Sequence, residues 1–161
     1  MAAKAKLAIE DCAICGGCEI ALADLGVSLL KVLDKNIDLV YAPILASTTD
    51  FEEADVTFVI GAIRTKHDLE RVQAARKKSK VLVSFGTCPG TGGLIGLGNL
   101  KGKDDLLNRA YSEGKVPTQG TPELLDKLEP LSKYVKVDYV VPGCPPPAAV
   151  IKQLLGELLG G

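Results

Sequence analysis

The sequence predicts an α/β fold built on a doubly wound parallel sheet, and three observations carry that prediction. Short β-branched runs alternate with stretches of helical apolar spacing, as repeated βαβ units require. The run VLVSF at 81–85 is nearly all apolar, as a strand buried on both faces would be. At 161 residues the chain has the size of one domain and can bury a core without disulfides.

Taken in order, strand one covers 6–10. The cysteine-rich stretch DCAICGGCE follows, and then 19–33 carries Ile20, Leu22, Leu25, Leu29, Leu30 and Leu33 at helical spacing. Strands two and three cover 38–41 and 56–60, with Gly61 ending the latter. A helix spans 65–78, with Thr65 or Asp68 as N-cap and a cationic last turn that suits the helix dipole. Strand four, 81–85, runs into the loop GTCPGTGG. The more polar segment 103–134 holds a helix near 104–112, a loop, and a second helix opened by Thr121-Pro122-Glu123, with Thr as N-cap and Pro at N1. Strand five, 137–141, ends in PGCPPP. An amphipathic helix over 146–159 comes last, its apolar face expected in the core.

Charge and composition remove several function classes. With 19 basic and 20 acidic side chains, nothing attracts nucleic acid or an anionic membrane. No signal peptide is visible and no run approaches the ~20 apolar residues of a membrane span, so a cytoplasmic protein without direct membrane insertion is expected. Aromatic content is 4% with no Trp, which argues against a ring-stacked flavin or nucleobase. The one histidine, His67, lies in a strongly charged helical stretch and reads as a solvated surface residue.

Five cysteines in a reducing compartment argue for metal or catalysis over disulfides. Cys12, Cys15 and Cys18 form two overlapping C-x-x-C motifs. Cys15 and Cys18 follow strand one, Cys88 follows strand four and Cys144 follows strand five, and a doubly wound fold brings such loops to one rim. Four thiolates there suit zinc or an iron-sulfur cluster. Their wide scatter along the chain favours a cluster on a preformed fold over a compact zinc knuckle. Gly16, Gly17, Gly86, Gly90, Gly92, Gly93 and Gly143 would let backbone approach a bulky anionic group, and helices after Cys18 and Cys144 would offer N–H donors. An FMN site would need a Ser/Thr-rich loop after strand one, where cysteines stand instead.

Cys15-Gly16-Gly17-Cys18-Glu19, Gly86-Thr87-Cys88 with Gly92-Gly93, and Pro142-Gly143-Cys144-Pro145-Pro146 together resemble the small subunit of nickel-iron hydrogenases, over nearly the whole chain. The likeness is to the cytoplasmic branch, with its F420-non-reducing and NAD-linked or electron-bifurcating enzymes. The resemblance implies a single flavodoxin-like iron-sulfur domain over 1–161 and one proximal 4Fe-4S cluster on Cys15, Cys18, Cys88 and Cys144. Gly16, Gly17, Glu19, Gly86, Thr87, Gly143 and Pro145 would surround it. It implies an oxidoreductase subunit that relays electrons during reversible H2 oxidation and is not catalytic alone. The partners would be a nickel-iron large subunit and a flavin- and iron-sulfur-containing acceptor subunit, NAD-linked or ferredoxin-linked.

The chain departs from longer relatives by ending about 17 residues after Cys144, so their C-terminal domain with further clusters is expected to be absent. The runner-up is a cluster-bearing subunit of a membrane energy-converting hydrogenase or of a complex I-like oxidoreductase. Complex I proteins carry adjacent cysteines where Cys15 and Cys18 are spaced. Cys12 reads as a small buried thiol. Glu19 reads equally as a first-turn acid favoured by the dipole or as a residue of the large-subunit interface or of proton movement. Arg64 reads as a surface residue.

Overall fold

The computed structural model describes residues 4–111, 116–117 and 119–159. Its sheet has five strands, β1 (Ala5–Asp11), β2 (Ile37–Tyr41), β3 (Ala54–Ile60), β4 (Ser79–Phe85) and β5 (Tyr139–Val141). They lie in the order β2-β1-β3-β4-β5, every pair parallel. This is the flavodoxin-like order, in which the direction of winding reverses between β1 and β3.

Strand alternation buries side chains on both faces of the sheet. Leu7, Ile9, Val56, Phe58, Val83 and Phe85 point to one face, where Leu22, Leu25, Ile151, Leu154 and Leu155 cover them. The covering residues come from α1 (Gly17–Ala23), the turn after it, and α6 (Ala148–Leu159). Phe58 and Phe85 stack at a centroid distance of 5.0 Å in this layer. Val59 and Leu82 point the other way and meet Val72 of α3 (Lys66–Lys78). Thr65 caps α3 through a capping box: its hydroxyl accepts from the Asp68 N–H, and the Asp68 carboxylate accepts from the Thr65 N–H at 2.8 Å. α6 buries Ile151, Leu154, Leu155 and Leu159, as its amphipathic pattern predicts.

Three expectations need correction. The helix over 19–33 is two helices, α1 and α2 (Val27–Lys35), because Gly26 takes φ 55 and ψ −128, outside the helical region. The loop after β4 contains a short helix, α4 (Thr87–Thr91), and a 3-10 helix over Ile95–Leu100. No helix opens at Thr121-Pro122-Glu123. Leu124 instead bridges Thr65, with Lys66 N–H on Glu123 C=O and Leu125 N–H on Arg64 C=O, both at 2.9 Å. Once those backbone groups pair across the chain, they cannot serve a helix. The helix expected near 104–112 is α5 (Lys103–Ala110), and Ser112 lies outside the described residues. Among the described residues, no helix is long and apolar enough to cross a membrane.

Candidate metal centre

The carboxyl ends of β1, β4 and β5 deliver the cysteine loops to one edge of the sheet. The first loop is pinned as it leaves β1. Cys12 N–H donates to Ile60 C=O at 2.9 Å, and Ala13 exchanges hydrogen bonds with Ala62 at 3.0 and 2.9 Å. Between them Gly61, at φ +88, lets Ile14 and Ala13 lie flush on the end of β3. A Cβ there would stand 2.5 Å from Ile14 Cγ2 and 2.6 Å from the Ala13 oxygen. Gly16 then caps α1, which starts at Gly17 and carries Cys18 and Glu19 in its first turn.

The second loop starts with Gly86 and enters α4, which carries Cys88. The third leaves β5 through Gly143 to Cys144, which joins Pro145 by a cis peptide bond. Gly86 N–H donates to Val141 C=O and Thr87 N–H to Gly143 C=O, both at 2.8 Å, so these two loops continue the β4/β5 pairing beyond the strands. Pro145 is exposed while Pro146 is buried, and a Cβ on Gly143 would stand 2.5 Å from Pro146 Cα.

The four thiols Cys15, Cys18, Cys88 and Cys144 lie within electrostatic reach of one another. Burial pushes the Cys18 thiol up to about 12, with Glu19 and then Cys88, Cys15 and Cys144 adding to the shift. Burial also raises Cys88, followed by Cys144 and Cys15. Cys15 and Cys144 are exposed, while Cys18 and Cys88 are half-buried, and all are free thiols. Backbone without side chains lies directly against the sulfurs. A Cβ on Gly86 would meet Cys18 Sγ at 2.8 Å, one on Gly93 would meet Cys88 Sγ at 2.9 Å, and one on Gly17 would meet Cys15 Sγ at 3.5 Å. A crevice of about 20 Å³ at the β1/β3 switch point touches Cys15, Cys18 and Cys88.

Among the described residues, no group of three or more His, Cys, Asp or Glu side chains is drawn close enough to hold a single metal ion. A zinc ion with Zn–S bonds of about 2.3 Å would pull tetrahedral sulfurs to roughly 3.8 Å apart. A four-iron cluster binds each thiolate through a different iron and takes a wider set. Four free thiols on glycine-lined loops have the donor chemistry of a zinc or iron-sulfur site, and the glycines leave backbone without side chains beside the sulfurs.

Cys12 stands apart. It packs with the Val59, Val72 and Leu82 core on the α3 side of the sheet, whereas Cys18 packs on the α1/α6 side. Burial pushes its thiol well above the ordinary range, and Asp68 and Glu10 add to that. His67 is exposed, as expected. Arg64 is half-buried and donates to Leu125 C=O at 2.6 Å, which ties it to the 123–125 segment and away from the thiols.

Glu19 is 2% exposed, and neither of its carboxylate oxygens has a hydrogen-bond partner among the described residues. A first-turn acid gains about 0.3–1 kcal/mol from a helix dipole, less than the cost of burying polar oxygens without hydrogen bonds. Dipole attraction alone therefore does not account for it. Its neighbour is Asp11, whose carboxyl is pushed up to about 8, first by burial and then by Glu19. On the other face of β1, Glu10 is also buried, and burial raises it although Arg71 Nε donates to it at 2.6 Å. Sequence reasoning does not single out Asp11 or Glu10. The available signal is two acids at the end of an otherwise apolar strand, immediately before the cysteines.

Comparison with known proteins gives this edge a family. The profile of the family described as "NADH ubiquinone oxidoreductase, 20 Kd subunit" matches residues 15–158. The chain belongs to that family. Within it, a vhu subunit of the F420-non-reducing hydrogenase of Methanocaldococcus jannaschii is 42% identical over 154 residues, covering 91% of this chain and 53% of that one. The NAD-reducing hydrogenase HoxS subunit delta of Cupriavidus necator is 27% identical, covering 97% of this chain and 80% of that one. A crystal structure of an NAD+-reducing [NiFe]-hydrogenase in the H2-reduced state contains a chain that superposes with a TM-score of 0.91 at 31% identity. The match covers 99% of this chain and 93% of that one. These relatives place the chain among the small subunits of nickel-iron hydrogenases. It spans about half the length of the F420-non-reducing hydrogenase chain it matches.

Proposed function

We propose that the chain is the electron-transfer small subunit of a multisubunit nickel-iron hydrogenase in the cytoplasm, holding one 4Fe-4S cluster on Cys15, Cys18, Cys88 and Cys144. The observation that carries this reading is the convergence of four free thiols from three loops onto one glycine-lined edge. The hydrogenase names of the relatives support it. When bound, such a cluster stores and releases single electrons.

The chain's own residues do the rest. The β1, β4 and β5 ends carry the three cysteine loops, and backbone hydrogen bonds tie those loops to the strand ends. Gly86 and Gly93 leave space against Cys18 and Cys88 that any side chain would fill. Burial favours the protonated form of Cys18 and Cys88, and because iron would bind them as thiolates, loading a cluster there would release protons. Exposed Cys15 and Cys144 turn the site toward the surface, where a covering subunit can bring a redox centre close. Ile20, Ile44, Leu94 and Leu97 are also exposed on the elements that follow the strand ends, an apolar setting for such a cover.

In this role the chain passes electrons between the nickel-iron site of a large subunit and a flavin- and iron-sulfur-bearing acceptor, NAD-linked or ferredoxin-linked. It breaks no bond itself. Anaerobic purification from the native host tests the assignment. The expected result is a brown complex that contains nickel in a second subunit and acquires an EPR signal on reduction. A colourless, nickel-free monomer would refute it.

A further inference from the structure

The Cys88 and Cys144 loops meet in an arrangement that the strand pairing alone does not supply. The β4/β5 ladder ends at Phe85 opposite Val141. Beyond it, Gly86 leads β4 into α4. The Gly143 N–H finds its acceptor in a side chain, the Thr87 hydroxyl oxygen, at 3.3 Å. Thr87 N–H donates back to Gly143 C=O at 2.8 Å. Thr87 immediately precedes Cys88, and Gly143 immediately precedes Cys144, so this reciprocal clasp fixes the third and fourth thiols relative to each other.

We propose that Thr87 is a positioning residue for the cluster: its hydroxyl oxygen holds the Cys144 loop in place, and its hydroxyl proton donates to a cluster sulfur and so eases reduction. The proposal rests on the functional reading above. A threonine hydroxyl carries one donor and two acceptor sites. Here one acceptor site is used by Gly143, and the donor has no acceptor among the described residues. With a cluster held there, reduction would add one electron, change no covalent bond and leave the sulfurs more negative. A neighbouring O–H donor stabilises that state and raises the potential. Serine would keep both functions of the hydroxyl, whereas valine keeps the shape and loses both.

The test compares wild type, Thr87→Val, Thr87→Ser and the control Thr91→Val in the complex purified anaerobically. Thr91 is exposed on the same short helix, and its hydroxyl donates to the Thr87 carbonyl. Iron content, EPR line shape and midpoint potential against dithionite are read for each. Thr87→Val is expected to lower the midpoint potential and alter the EPR lines, with Thr87→Ser and Thr91→Val matching wild type. If Thr87→Val loses its iron outright, retention by Thr87→Ser supports the hydroxyl role and loss in both overturns it. An unchanged potential and spectrum in Thr87→Val also overturns it. A wild-type complex without iron would instead overturn the functional reading on which the proposal stands.

Discussion

Asp138 shows how much one side chain can do at the edge of the sheet. Its carboxylate accepts the Leu82 N–H at 2.9 Å and a guanidinium N–H of Arg76 at 2.5 Å, with Lys136 Nζ at 3.3 Å. The Leu82 N–H leads in holding its pKa down to about 2, with Arg76 and Lys136 helping against the opposing effect of burial. Because the folded value lies below the ordinary 3.8, the stabilisation is complete above about pH 4 and is lost as the pH falls toward 2. Solvent screening reduces its size to about 1 kcal/mol. Replacing Asp138 by Asn should therefore lower stability at pH 7 by about that amount and flatten the acid limb of the unfolding curve, which denaturant titrations at several pH values would reveal. Gly61 is the other sensitive point. Placing a Cβ at φ +88, within 2.5 Å of Ile14, should cost about 2–4 kcal/mol in Gly61→Ala and loosen the first cysteine loop. Thermal unfolding measures the first effect, and cluster retention measures the second.

At the level of elements, α6 is the lid of the larger core, and Leu155 at 3% exposure lies in its middle. Truncation to alanine should destabilise the fold by about 2–5 kcal/mol, with no new polar group exposed to confuse the reading. A loss under 1 kcal/mol in equilibrium unfolding would mean that α6 is not packed as described. The five strands and the helices α3 and α6 were legible in the sequence because their signals are local: β-branched runs, an N-cap candidate and a cationic last turn for α3, and the amphipathic pattern of α6. Other elements depended on information that local reading lacks. Nothing in an apolar run over 19–33 says that Gly26 leaves the helical region rather than sitting within it at modest cost. The stretch GTCPGTGG has the composition of a turn, yet Thr87–Thr91 completes a helix between its glycines. Thr121-Pro122-Glu123 has a good helix start, but the backbone of 123–125 finds partners at 64–66, and long-range pairing prevails over local preference.

On the scale of the whole molecule, parallel winding turns sequence distance into proximity. Cysteines separated by 70 and 56 positions reach one edge because the strands before them end there. The strand-loop pattern pointed to one rim for Cys15, Cys18, Cys88 and Cys144, and the strands end in the loops that carry them. Asp11 was not legible as a neighbour of Glu19, because only the packed fold brings the two carboxylates together out of solvent. The same geometry separates Cys12, which faces the α3 core, from the other four thiols. Cys12→Ser should thus retain iron, whereas Cys18→Ser should lose or convert the cluster. The most direct test of the central claim is the iron and acid-labile sulfide content of the anaerobically purified wild-type chain. The account predicts about four of each per chain; a protein with one zinc, or with no metal, would contradict it.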